Sequence, residues 1–187
     1  MFDTQIKELF NLFFYNNSNF PKGLTDNQIN DAQEFYNIKF PPDLKELLMC
    51  FCPAFFFDWS NFSKTNVQLL KERLRWPTEG ILFDVENNNF WMECWGIKPN
   101  HMKTALEIAE RNLAAVPPLI PIYSHRYIPS NPCEAGNPIY SVYQTDIIYY
   151  GKDIWDYFKV EFDRKPQQSI QFDEIKPDIP FWGELVI

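Results

Sequence analysis

The sequence predicts an α+β domain, and three observations carry that prediction. Helical periodicities crowd the first half of the chain, apolar runs of strand length crowd its middle, and no repeating strand–helix unit of a doubly wound fold is present. A mixed or antiparallel sheet packed against several helices is the expected architecture. The 187 residues suffice for one domain with a sizeable core, read as 1–187, since neither a repeat nor a low-complexity linker divides them. Aromatic residues make up 18%, so rings should build much of that core.

The elements follow in order. Ile6, Leu9, Phe10, Phe13 and Phe14 recur at helical spacing, and Asn16 to Asn19 ends that helix. Thr25 with Gln28 three residues on forms a capping box, Ile29, Ala32 and Phe35 or Tyr36 form the buried stripe, and Asn37 is the stop. Pro42 suits the first position of the next helix, whose apolar face is Leu44, Leu47, Leu48 and Phe51. Residues 53–63 read as irregular. A further helix spans Asn66 to Leu74 and closes at Trp76-Pro77, because a residue before proline avoids the helical region. Ile81 to Val85 then reads as a strand, Glu86 to Asn89 as a turn and Phe90 to Met92 as a second strand. A helix from Met102 to Leu113 precedes a strand over Leu119 to Tyr123, where Pro121 implies an edge or a bulge. Pro138 to Tyr143 alternates as a strand should, and Lys152 to Phe158 forms the last helix on Ile154, Trp155 and Phe158. The proline-containing tail from Asp163 reads as extended and pinned by Phe181 and Trp182.

A formal net charge of -8 makes the chain a poor candidate for binding nucleic acid, since phosphates repel such a surface, and a better one for meeting a basic protein, although taken alone such a charge speaks first to solubility. Four cysteines (Cys50, Cys52, Cys94, Cys133) make no C-x-x-C pair, and only two histidines accompany them, so neither a zinc site nor another metal or cofactor is expected. Leu47, Leu48 and Phe51 around Cys50 suggest a buried free thiol and a reducing compartment. The apolar run near the start is too short for a leader or a membrane span, so a cytoplasmic protein without membrane attachment is the expectation.

Four groups of residues carry potential chemistry or contact. His125, in "LIPIYSHRYIPSNP", adjoins Ser124, but no G-x-S-x-G elbow and no third catalytic partner accompany it. The prolines around it predict a rigid loop in which His125 and Arg126 bond to backbone carbonyls. Asp84 and Glu86 would share one face of a strand, a pairing able to hold a metal or act as acid and base, although no calcium-loop spacing is present and a solvated or turn-capping role fits better. Trp59, Trp76, Trp91, Trp95, Tyr127 and Tyr149-Tyr150 are core by size, with an exposed subset available as contact residues. Asp146 is placed to cap a turn or to pair with Arg126.

Two sets of motifs resemble a known family. "LTDNQINDAQEFYNIKFPPDLKELL" is similar to the opening motif of the SUKH superfamily, which holds fungal cell-wall-assembly regulators of the Smi/Knr type and bacterial immunity proteins. "WPTEGILFDVENNNFWMECWG" and "PLIPIYSHRYIP…GNPIYSVYQTDIIYYG" resemble its bacterial branch, through WP-x-x-G-I, F-x-x-WG, HRY-I/L-P and Q-T-D-I-I-Y-Y-G. The likeness covers residues 23–162. It departs at "CFCPAFFFDWS", where many members carry a glycine-rich turn, and omits the first helix and the tail. The resemblance implies an α+β domain that binds rather than catalyses, here a cytoplasmic immunity protein against a basic, nuclease-like toxin. A regulatory scaffold of wall assembly or stress signalling is the alternative it leaves, and a small hydrolase using His125 with Asp84 or Glu86 is the alternative the residues leave. The contact residues expected are Trp59, Asp84, Glu86, Trp91, Trp95, His125, Arg126, Tyr127 and Asp146.

Overall fold

A computed structural model describes residues 2–14, 22–53, 55–162 and 179–186, and they form an α+β fold. Helices α1 (Asp3–Phe14), α2 (Asp26–Tyr36), α3 (Pro42–Cys50), α4 (Lys64–Asn87) and α5 (Met102–Leu113) precede the sheet, and α6 (Ile154–Phe162) follows it. The expected end of the first helix, Asn16 to Asn19, and most of the tail lie outside the described residues. The predicted capping box holds α2: the Thr25 hydroxyl accepts from the Gln28 N–H, while the Gln28 side chain accepts from the Thr25 N–H. Asn37 ends that helix in the left-handed region at φ 52°. Tyr36, rather than Phe35, turns toward the core.

The sheet is an antiparallel meander of β1 (Leu119–Tyr123), β2 (Arg126–Pro129), β3 (Ile139–Tyr143) and β4 (Asp146–Gly151) in that order. Pro121 lies on the edge strand, next to a register shift, as a residue without an N–H should. The loop expected around Arg126 to Pro129 is instead β2. It reads poorly as a strand because all four of its residues are buried, so no polar alternation marks it.

That burial arises because helices cover both faces of the sheet. Ile120, Ile122, Ile128 and Ile139 pack into one apolar cluster with α1, α2, α3 and α6. Leu119, Tyr127, Tyr140, Val142 and Ile147 pack into a second with α5 and the C-terminal half of α4. Helix α4 serves both clusters, Leu70 and Leu74 on one side and Ile81 and Val85 on the other. Trp182 is buried with its indole N–H donating to the Pro117 carbonyl at 2.8 Å, and Val186 bridges to Ile147, so the end of the tail is pinned as expected.

Three assignments around residue 80 are corrected. The helix expected from Asn66 does not close at Trp76-Pro77 but is α4, which runs 24 residues with Pro77 inside it, and Ile81 to Val85 is its continuation, not a strand. Phe90 to Met92 is irregular and leads into a short 3-10 turn, Glu93–Trp95. The reason lies four residues before the proline. Pro77 has no N–H to give to the Arg73 carbonyl, which in a proline-broken helix would be left unpaired. The Tyr127 hydroxyl, from β2, donates to that carbonyl at 3.1 Å and takes the missing place.

Candidate functional site

In a meander the first and last hairpin turns fall at the same end of the sheet. Each has two residues, Ser124-His125 between β1 and β2 and Gln144-Thr145 between β3 and β4, and each enters through a left-handed residue, Ser124 at φ 50° and Gln144 at φ 57°. The first turn is tied to β3, two residues before the second turn, by the Val142 N–H, which donates to the His125 carbonyl at 3.0 Å. The second turn lies directly on α4. A Cβ added at Gly80 would come within 2.8 Å of the Gln144 Cα, so only glycine admits this approach. One helical turn on, Asp84 accepts from the Thr145 N–H at 2.9 Å and the Thr145 hydroxyl at 2.6 Å, while its other oxygen accepts from Asn88.

Those contacts redefine the acidic candidates. On a helix, residues two apart diverge by about 200°, so Asp84 points inward and Glu86 outward, and the shared face expected of a strand does not exist. Burial would raise the Asp84 carboxyl, but its hydrogen bonds from Thr145 and Asn88 outweigh that and hold it below the ordinary aspartate value. It is a clamp between helix and hairpin. Among the described residues no group of three or more histidine, cysteine or acidic side chains is placed to hold a metal.

Arg126 is also committed. Its Nε donates to Glu161 at 3.1 Å and its Nη1 to Ser141 at 2.9 Å, with the guanidinium 3.6 Å from the centre of the Tyr150 ring. Two expectations are corrected here: Arg126 bonds to side chains rather than to backbone carbonyls, and its acid is Glu161 rather than Asp146, which is exposed at the start of β4. His125 is half-buried. Its Nδ1 lies 3.1 Å from the Ser124 hydroxyl, and burial followed by the charge of Arg126 lowers its pKa. No described carboxylate is hydrogen-bonded to it, so a serine–histidine–acid relay is not assembled in this arrangement.

Among the remaining predicted contact residues, Trp59, Trp95 and Tyr127 are buried. Trp91 is half-buried, packed edge-on against Trp95 and donating its indole N–H to the Gly96 carbonyl at 2.7 Å. Cys50, expected inside, is exposed, and Cys52 is the half-buried thiol, pushed up to about 11 by burial and by Asp58. A cleft of about 740 Å³ between α2 and the start of β1, lined by Asn30, Gln33, Asn37, Lys39 and Asn131, includes none of the predicted residues.

What the sequence reading missed is the outer face of α4. Leu69, Trp76 and Phe83 are 41%, 42% and 47% exposed and stand seven residues apart, on one stripe of the helix. Trp76 and Phe83 straddle Gly80, and Tyr143, at 60% exposure, precedes the Gln144 that rests there. Arg73 lies over the Trp76 ring at 5.6 Å. Trp76 and Phe83 therefore flank the place where the second hairpin turn meets the helix. The seven-residue spacing was present in the sequence, but breaking the helix at Pro77 separates its members.

No family model, no curated protein and no solved structure matches this chain. Among the described residues no helix is long and apolar enough to cross a membrane.

Proposed function

We propose that this chain is a non-catalytic, SUKH-like immunity protein that binds and neutralises a basic cognate toxin, with a nuclease the class its charge suits best. One observation carries the reading. A molecule of net charge -8 presents Trp76 and Phe83 to solvent on one stripe of α4, beside the contact of Gly80 with Gln144. Exposed rings of this kind supply affinity when a partner buries them, and opposite charge speeds the encounter. The polar side chains with potential for acid–base work support the same reading, since Asp84 and Arg126 hold the hairpins in place. Neutralisation would be stoichiometric, an acidic face covering a channel that otherwise receives nucleic acid. A cytoplasmic site of action belongs to this proposal, because a nuclease meets its substrate there.

The test is capture and rescue. The tagged chain is purified from its own organism at low and high salt, and the chains bound to it are identified by mass spectrometry. A multidomain protein ending in a basic toxic domain is expected, with a complex that survives high salt although it forms more slowly. Co-expression with that domain should restore growth, and the purified chain should abolish its activity at equal molar amounts. Recovery of wall-synthesis or housekeeping proteins would replace immunity with the regulatory reading, and recovery of no specific chain would overturn both.

A further inference from the structure

We infer that the outer stripe of α4 receives an amphipathic α-helix of the partner, with apolar residues facing Leu69, Trp76 and Phe83 and lysine or arginine beside them. This inference rests on the binding reading above and adds the surface, the shape of the occupant and its charge. Its first support is the spacing. Leu69, Trp76 and Phe83 rise along α4 by about 10.5 Å per step and drift by about 20° per step, which a second helix lying along α4 can follow with its own seven-residue repeat. A strand covers the same step in about three residues, so its successive contacts would point to opposite faces.

The second support is charge. Glu72, Glu79 and Glu86 stand at the same seven-residue spacing, three residues after each apolar one, and all three are exposed. They make an acidic rail parallel to the apolar stripe. Within the chain, Glu79 is answered by Arg75 at 3.2 Å and Glu72 accepts from Gln68 at 2.7 Å, both at exposed sites where such pairs exchange readily for others. A cationic flank on the incoming helix matches the rail, as flanking charges do in paired helices.

A second copy of the chain does not fit. Antiparallel pairing of two α4 helices would set rail against rail, six glutamates answered only by the Arg75 of each copy. Parallel pairing would need the opposite flank of the stripe, and there the Gln144 backbone already sits on Gly80.

The experiment uses the full chain and a synthetic 21-residue helical peptide, labelled with fluorescein, with leucine on one face and lysine along the flanks. A peptide of the same composition in permuted, non-amphipathic order is the control. Anisotropy should report saturable binding of the first peptide alone. The variant Trp76→Ala with Phe83→Ala should weaken it roughly tenfold or more. The variant Glu72→Gln, Glu79→Gln, Glu86→Gln should also weaken it and flatten its salt dependence. All five side chains are exposed, and melting curves like the parent's would confirm that the fold is kept. Equal binding of the permuted peptide, or parental binding by both variants, overturns the inference. A captured toxin whose affinity ignores both variants overturns the surface and leaves immunity standing. Helix binding with no toxin captured supports the surface and removes immunity.

Discussion

Tyr127 is committed to the fold by one hydrogen bond whose need is created elsewhere, by Pro77. Tyr127→Phe should destabilise the protein by about 1–2 kcal/mol in urea titrations, because a part-buried carbonyl loses the donor that stands in for the N–H missing at Pro77. In a Pro77→Ala background, the new N–H serves the Arg73 carbonyl, and the cost of Tyr127→Phe should fall by about 1 kcal/mol; a double-mutant cycle reads that coupling directly. Two buried aspartates respond to acid in opposite senses. Hydrogen bonds hold Asp84 below the ordinary value, so its contribution is complete above that value and is lost as pH falls through the folded pKa. Asp84→Asn should cost about 1–3 kcal/mol at neutral pH and flatten the acid limb of the stability curve. Asp43 is the converse. Burial holds its carboxyl above the ordinary value although the Gly136 and Leu44 N–H groups donate to it, so its contribution declines as pH rises from the ordinary value through the raised one. Asp43→Asn keeps an acceptor for Gly136 and should remove that slope, checked by denaturant titrations between about pH 3 and 7.

At the scale of the element, α4 is where reading from sequence and structure part. Gly80 illustrates the conflict of local and tertiary terms. In an isolated helix Gly80→Ala would gain about 1 kcal/mol from propensity, but here the added Cβ meets backbone at 2.8 Å, and a hairpin turn must shift. Gly80→Ala should therefore destabilise by about 1–3 kcal/mol, read by thermal or urea unfolding. The capped helix α2 and the proline-started helix α3 were legible because Thr25, Gln28, Asn37 and Pro42 act on their own neighbours in sequence. The strand at β1 was legible as a short apolar run, and its proline pointed to an edge or a bulge. The course of α4 was not, because the donor that lets it continue past Pro77 comes from Tyr127, 54 residues from the carbonyl it serves. Losing the helix also lost the stripe on its outer face and turned Asp84 and Glu86 into a false pair. β2 escaped for a different reason: covered on both faces, it has no solvent side to mark its period.

At the scale of the whole molecule, the sheet separates two apolar clusters, and α4 is the element that belongs to both. Helix formation normally gains cooperativity from an unbroken ladder of hydrogen bonds. Here the ladder lacks one rung, and the sheet supplies the replacement. The two halves of α4 therefore answer to different parts of the protein. Native-state hydrogen exchange should show residues 81–87 exchanging in step with β3 and β4, and residues 68–74 in step with α2 and α3. Tyr127→Phe should widen the gap between the two rates. The longest of the described helices is in that sense joined across its proline by the sheet beside it, and its two halves act as one rod through a bond that a strand supplies.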